Sequence, residues 1–341
     1  MTDRKGVIEM KILFDAFGGD NAPLCVIKGA VDAKDEFGVD IVLVGDEAKI
    51  KQCAKDNNIN ITDVEIIHAD DVITMEDSGS DILKSKKNSS MAVAMRALLD
   101  GKGDALISAG NSGALCVGAT LIAKRIKGIK RPAFASIIPT TNGNMMLLDS
   151  GANVECRPEM LKQFGIMGSV YMHSVFDIES PRVGLANCGT EEHKGTQLQH
   201  EAYALLKESN INFIGNVEGR DIPSGVCDVL VCDGFTGNLI LKTYEGVALS
   251  LMAQIKGIFK KSLKNKIAAA IVLNDMKELK KTVDYKEFGV APILGCAKPV
   301  FKAHGSADDV TIKNSVKSVK KFIEGNILQT ISKKLENTDI G

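Results

Sequence analysis

The sequence predicts an α/β protein: a three-layer α/β/α arrangement around a mostly parallel sheet, with one helical excursion. Three observations carry that prediction. Short apolar runs alternate with helical patterns along most of the chain, the rhythm of strand–helix–strand units. The runs are almost continuously apolar, as strands buried on both faces are, instead of alternating as half-exposed strands do. Several runs end in polar, glycine-bearing loops, and at 341 residues the chain is long enough for a substantial core.

Lys11-Ile-Leu-Phe-Asp15 is the first strand, followed by the turn Gly18-Gly-Asp-Asn-Ala-Pro23. Asn21 is expected to cap the next helix, with Pro23 in its first turn, where the missing N–H costs nothing. Ile41-Val-Leu-Val44 is a second buried strand, closed by Gly45-Asp46 and a polar helix to about residue 57; Val64-Glu-Ile-Ile67 is a third. Asp77 to Ser90, rich in Lys and Ser and without a core-facing period, reads as an exposed loop before a helix over 91–100. Ala133 to Ile138 and Asn144 to Leu148 read as consecutive strands turned by Thr-Thr-Asn-Gly143. A helix over 158–175, a strand over 182–186, a helix over 194–208 and a strand over 211–215 follow in alternation. A long helical stretch spans about 237–282, a short strand lies near 298–303, and a final helix spans about 307–335. No linker rich in Pro, Gly or Ser divides the chain. A single α/β domain over 11–335 is therefore expected, with 237–296 as a helical excursion from it.

Composition narrows the function. Hydrophobic residues make up 45% and charged residues 25%, and the net charge is −1, so no global field draws nucleic acid or membrane to the whole molecule. With no Trp, 4 Tyr and 12 Phe, platforms for base stacking are scarce, and nucleic-acid binding is not expected. The 8 cysteines include no Cys-x-x-Cys and the 5 histidines no His-Glu-x-x-His. Most of the cysteines read as small core residues of a reducing compartment, the histidines form no close cluster, and neither a disulfide frame nor a metal site is expected. Residues 1–10 lack the apolar segment of a signal peptide, and the apolar run Ile267 to Leu273 falls far short of a bilayer span, so a cytoplasmic protein is expected.

The polar loops are the informative part. Asp104-Ala-Leu-Ile-Ser-Ala-Gly-Asn-Ser-Gly-Ala-Leu115 aligns with Asp228-Val-Leu-Val-Cys-Asp-Gly-Phe-Thr-Gly-Asn-Leu239. Each is an apolar run, then Gly-x-[Ser/Thr]-Gly, then a helical pattern. Glycine lets backbone approach a ligand closely, and the first N–H groups of a helix favour an anion. Asp15-Ala-Phe-Gly-Gly-Asp20, Asp149-Ser-Gly-Ala-Asn153 and Asn187-Cys-Gly-Thr-Glu-Glu-His-Lys-Gly195 also follow apolar runs. Loops at the carboxyl ends of an open parallel sheet converge on one crevice, which predicts a shared anion-handling site. Any one of the carboxylates, taken alone, reads as readily as a helix cap. The Rossmann glycine fingerprint, Walker A and the Gly-x-Ser-x-Gly elbow are all missing.

These residues carry a resemblance. Asp15-Ala-x-Gly-Gly-Asp-x-Ala-Pro23, Ser108-Ala-Gly-Asn-Ser-Gly-Ala-Leu115, Leu148-Asp-Ser-Gly-Ala-Asn153, Val217-Glu-Gly-Arg-Asp221 and Cys232-Asp-Gly-Phe-Thr-Gly-Asn238 closely resemble the bacterial phosphate acyltransferase (PlsX) family of phospholipid synthesis. Tyr285-x-Glu-Phe-Gly-x-Ala-Pro-x-Leu-Gly295 and Ala303-His-Gly-Ser306 fit it too. Phe17, Thr190, His193 and Val290 depart from its usual residues. The resemblance runs from about residue 10 to 330, which makes Met10 a candidate start and residues 1–9 an extension. It implies transfer of a fatty acyl group from acyl carrier protein to inorganic phosphate, giving acyl phosphate. It also implies the fold of the isopropylmalate dehydrogenase and phosphotransacetylase group, and a homodimer.

Phosphate attack on a thioester asks little of side chains. Phosphate is already nucleophilic, and a thiol of pKa about 8.5 leaves without much acid help. An anion cradle, oxyanion donors and alignment suffice, with no cofactor or metal. Gly110, Asn111, Ser112 and Gly113, with Gly234, Gly237 and Asn238, are assigned to the cradle. Asp15, Gly18, Gly19, Asp20, Asp149 and Asn153 complete the expected phosphate or substrate site. Lys194 is the candidate for neutralising developing charge; Asp233 and His304 are candidates for orientation or proton traffic, His304 being equally a loop-satisfying residue. A dehydrogenase of the isopropylmalate type would need an arginine cluster, whereas the arginines here are scattered. A non-catalytic scaffold would have no use for a phosphate cradle. Between 247 and 267, Leu251, Ile255, Ile258, Phe259, Leu263 and Ile267 recur at helical spacing among Lys256, Lys260, Lys261, Lys264 and Lys266. That pattern reads either as a dimer helix or as a docking surface for acidic carrier protein or anionic membrane. A peripheral membrane role fits a product whose long chain must reach a membrane enzyme, a glycerol-3-phosphate acyltransferase.

Overall fold

The computed structural model describes residues 10–283 and 289–336. The expected extension 1–9, and Tyr285 to Phe288 of the quoted motif, lie outside the described residues. The described residues pack as two compact units, one of 10–134, 173–177 and 289–336, the other of 135–172 and 178–283.

The first unit opens with β1 (Lys11–Asp15), α1 (Leu24–Phe37), β2 (Asp40–Gly45), α2 (Glu47–Asp56), β3 (Glu65–His68), α3 (Ser90–Leu99), β4 (Ala105–Ser108) and α4 (Ser112–Leu121). The second carries β5 (Ala133–Thr140), β6 (Gly143–Leu148), α5 (Pro158–Phe176, of which 173–176 belong to the first unit), β7 (Arg182–Asn187), α6 (Gln197–Lys207), β8 (Asn212–Glu218), β9 (Val229–Val231), α7 (Gly234–Lys260), α8 (Leu263–Ile271) and α9 (Leu273–Val283). The chain then returns to the first with β10 (Val290–Leu294), β11 (Val300–Ala303), α10 (Asp309–Glu324) and α11 (Ile327–Glu336). The first two residues of β5 belong to the first unit, where they pair with β10.

In the first unit the strands run β3-β2-β1-β4-β11-β10, parallel except for β10. Ile12, Leu13 and Phe14 of β1 are wholly buried, as a central strand covered on both faces must be. In the second unit the order is β5-β6-β9-β7-β8, parallel apart from the β5–β6 hairpin. Its core joins Ile138, Met145, Leu147, Val217, Ile222 and Leu230. No helix among the described residues is long and apolar enough to cross a membrane.

Several local expectations are corrected. Pro23, not Asn21, occupies the cap position of α1, and the Asn21 amide donates instead to the carbonyls of Ser306 and Ala307 at 3.4 and 3.1 Å. The stretch 77–90 is not simply an exposed loop. Gly79–Leu83 forms a 3₁₀ turn with a capping box between Ser78 and Asp81, and Ile82 is fully buried. One apolar anchor in a polar stretch leaves no periodicity to read. The long helix expected over 237–282 is three helices, broken at Ser262, which adopts an extended conformation and caps α8, and again at Val272, where α8 ends. Val290–Leu294, inside the stretch expected to be helical, is a strand. The final helix breaks at Gly325-Asn326, where Asn326 has φ 49°.

Candidate active site

In the first unit, three loops are stitched together at the carboxyl ends of β1, β4 and β11. Asp15 ends β1 and is buried; its carboxylate accepts the Ser90 hydroxyl at 2.6 Å and the Ser108 hydroxyl at 2.7 Å. Burial pushes this carboxyl above the usual carboxylate range, against the pull of both hydroxyls. Ser108 Oγ in turn accepts the Gly110 N–H at 3.1 Å. A Cβ on Gly18 would lie 2.7 Å from both Asp15 Oδ2 and the Gly110 nitrogen, so only glycine lets the two loops meet. Asp20 N–H donates to the Gly305 carbonyl at 2.8 Å, and Gly19 packs against Ala109 and Gly305. His304 sits in that third loop. Its Nδ1 accepts the Ser306 N–H at 3.2 Å and lies 2.9 Å from the Ser306 hydroxyl, a pattern that assigns the neutral ring's proton to Nε2.

Asn111 is the N-cap of α4: its Oδ1 accepts the Ala114 N–H at 3.0 Å. Its amide donates to the carbonyls of Thr74 and Asp77, each at 3.1 Å, tying the 71–90 segment to the glycine loop. The exposed residues of this helix start are Ser112 and Gly113. Nearby, the half-buried Lys302 donates to the Ala109 carbonyl at 3.1 Å, and its charge acts on Asp15. Sequence reasoning missed Lys302. A lysine inside the short apolar strand Val300–Ala303 was the available signal.

In the second unit, Asp149 organises the turn after β6. Its Oδ1 accepts the N–H groups of Gly151 and Ala152 at 3.2 and 3.0 Å; its Oδ2 accepts the Asn153 N–H and side-chain amide at 2.7 and 2.9 Å. The turn then packs on α7. Gly234 N–H donates to the Asn153 carbonyl at 2.7 Å, and a Cβ on Gly237 would fall 1.9 Å from the Asp149 carbonyl oxygen. Asp233 caps α7, accepting the Thr236 N–H and hydroxyl, each at 2.8 Å. Asn238 is exposed and lies beside Gly151.

The repeated loops therefore differ in register. The sequence alignment pairs Asn111 with Phe235, whereas the capping residues are Asn111 and Asp233, so α7 starts earlier in its copy than α4 does. They differ in charge as well. An anion at α4 meets a neutral cap and two exposed first-turn residues. An anion at α7 meets the Asp233 carboxylate and a Gly234 N–H already used. The first loop is the better anion site.

Lys194 lies in the exposed loop after β7. Asn187 Nδ2 donates to its carbonyl at 3.0 Å, and its aliphatic stem passes within 2.9 Å of where a Gly189 Cβ would sit. Asn216 Nδ2 holds the same loop by donating to the Glu191 carbonyl at 2.8 Å. Among the described residues no group of three or more His, Cys, Asp or Glu side chains is placed to hold a metal ion.

Comparison with known proteins follows the same lines. A phosphotransacetylase from Streptococcus pyogenes superposes with a TM-score of 0.59 at 16% identity, covering 96% of this chain and 94% of that one. A branched-chain phosphotransacylase from Enterococcus faecalis gives 0.54 at 13% identity, covering 92% and 98%. At such identities the likeness is one of fold: this is an α/β protein whose fold is similar to that of these phosphotransacetylase-type structures. Residues 10–330 match the family described as fatty acid synthesis protein, and the chain belongs to that family. It is 48% identical over 332 residues to the phosphate acyltransferase of Acetivibrio thermocellus, covering 97% of this chain and 98% of the relative. With the phosphate acyltransferase of Clostridioides difficile it shares 44% over 324 residues, 95% of each.

Proposed function

We propose that this protein transfers a fatty acyl group from acyl carrier protein to inorganic phosphate, giving acyl phosphate for phospholipid synthesis. The observation that carries the reading is the start of α4: a glycine loop at the end of a buried strand, an uncharged cap, exposed Ser112 and Gly113, and Lys302 beside it. This is the arrangement that suits a phosphate, and the relatives' name supplies the acyl chemistry. A phosphate oxygen attacks the thioester carbonyl carbon, the C–S bond breaks, and the electron pair leaves on sulfur as thiolate, which takes a proton from solvent. Gly110, Asn111, Ser112 and Gly113 hold the phosphate; Lys194, on its own exposed loop, is the candidate for neutralising developing charge. Asp15, Asp149 and Asp233 act by shaping their turns. His304 orients its loop and moves a proton only through Nε2.

The exposed apolar residues Leu251, Ile258, Leu263 and Ile267 of α7 and α8, interleaved with lysines, support a surface that another molecule covers. In this reading the protein is a cytoplasmic homodimer that visits the membrane peripherally, and carrier protein or anionic lipid shares the basic face. The deciding assay incubates long-chain acyl carrier protein with the enzyme, with and without phosphate. Thioester loss that needs phosphate and withstands EDTA is expected; equal loss in phosphate-free buffer means a thioesterase.

A further inference from the structure

The second unit also contains a pocket of about 310 Å³ at the carboxyl end of β7. Its floor is aliphatic. Ala186, Val217 and Ile222 belong to the core cluster of this unit, and Ile240 of α7 packs against that cluster. Its rim carries Asn187, Thr196, Gln199 and Thr236, which at first sight suit a polar ligand. Their hydrogen bonds say otherwise. Asn187 Oδ1 accepts the Cys188 N–H at 2.8 Å while its Nδ2 serves Lys194. Gln199 Oε1 accepts the Thr196 N–H and hydroxyl at 3.1 and 2.5 Å. The Thr236 hydroxyl donates to Asp233 at 2.8 Å. Atoms already paired inside the protein gain little from a ligand, so the pocket is apolar in effect.

We propose that this pocket holds the fatty acyl chain of the substrate, an inference that rests on the acyl-transfer reading above. Its size fits. An apolar cavity of about 150 Å³ takes up benzene, so this one has room for about a dozen chain carbons. Its position fits as well. Gly195 and Thr196, next to Lys194, form one side of the mouth, and Thr236, in the first turn of α7, forms another. A chain seated on the aliphatic floor leaves its carbonyl at a mouth bordered by the Lys194 loop.

Gly219 provides a clean test. It lines the pocket, and an added Cβ there meets nothing within 4 Å. Gly219→Leu fills space for roughly four carbons, and each excluded methylene weakens binding about fourfold. The KM for palmitoyl carrier protein should rise at least about tenfold, while that for octanoyl carrier protein changes less than about twofold. Equal shifts for both donors, or none, overturn the assignment even though wild-type turnover upholds acyl transfer. A second measurement needs no turnover. Cys188, on the rim, is the exposed cysteine of the eight. Palmitate should slow its alkylation by a maleimide in the wild type and hexanoate should not; unchanged labelling with palmitate overturns the proposal. Protection of Cys188 in a protein that makes no acyl phosphate would uphold the pocket and refute the acyl-transfer reading alone.

Discussion

Gly113 and Gly237 hold the same place in the repeated Gly-x-[Ser/Thr]-Gly pattern, yet alanine at the two positions should have very different consequences. A Cβ on Gly113 would lie 3.3 Å from Asn111 Oδ1 and 3.7 Å from the Gly79 α-carbon, a fit that needs a few tenths of an ångström of give. Alanine also favours a helix over glycine by up to about 1 kcal/mol, so Gly113→Ala should stay within about 0.5 kcal/mol of wild type. On Gly237 the Cβ would lie 1.9 Å from the Asp149 carbonyl oxygen and 2.9 Å from both the Asp149 carbonyl carbon and Cys232 Sγ. Neither neighbour is the loose end of a flexible chain. Asp149 is held by four N–H donors, and its own N–H donates to the Cys232 carbonyl at 3.1 Å. Either α7 or the turn must move by more than an ångström, losing the Gly234 bond to Asn153. Overpacking of this kind costs about 1–3 kcal/mol, and the backbone neighbours put Gly237→Ala at about 3. With a urea slope of about 1–3 kcal/mol per molar, the unfolding midpoint should fall by about 1 M or more. Urea titrations followed by circular dichroism would measure both variants. A wild-type midpoint for Gly237→Ala, or equal damage from the two, would refute the close packing of the Asp149 turn on α7.

Lys194→Ala should lower kcat by about 10²-fold or more with little change in urea midpoint, because an exposed loop lysine packs little but offsets developing charge; Lys302→Met should instead raise the KM for phosphate, and a steady-state comparison of the two separates the roles. Asp15 titrates above its unfolded value, so the native state holds its proton to higher pH than the unfolded chain does. Its contribution to stability is full below the ordinary carboxylate pKa and is lost as pH rises through the raised one, so Asp15→Asn should flatten stability against pH above the ordinary carboxylate pKa, and an unchanged slope would contradict the burial argument. Lys260→Glu/Lys261→Glu should abolish salt-sensitive sedimentation with anionic vesicles while leaving neutral vesicles unaffected, each lysine contributing about 1 kcal/mol; equal binding to both vesicle types leaves α7 and α8 as a dimer surface only.

The fold was legible where burial is two-sided. Ile41 to Val44 and the run before Gly110 carry enough consecutive apolar residues to announce themselves as strands. What escaped were elements set by one residue. Ser262 divides a helix pattern that periodicity reads as continuous, and Ile82 orders a stretch whose composition reads as solvent. The candidate site was legible as loops but not as roles. Gly18 and Gly110, Gly19 and Gly305, and Gly237 and Asp149 are brought into close approach, as glycine at strand ends suggests. That Asp149 turns all its lone pairs inward, or that Asn111 caps a helix while Phe235 does not, depends on backbone direction that sequence spacing does not encode. Lys302 went unread because a single lysine in a four-residue strand is weak evidence without its neighbours.

The most direct measurement of the central claim follows phosphorus. The protein would be incubated with palmitoyl carrier protein and inorganic phosphate, with phosphorus NMR and a thiol assay run on the same sample. Acyl transfer to phosphate predicts a new acyl phosphate resonance that grows in step with free carrier thiol, one for one, and neither signal when phosphate is omitted. Free thiol accompanied by free fatty acid, with the phosphate resonance unchanged, would contradict the account.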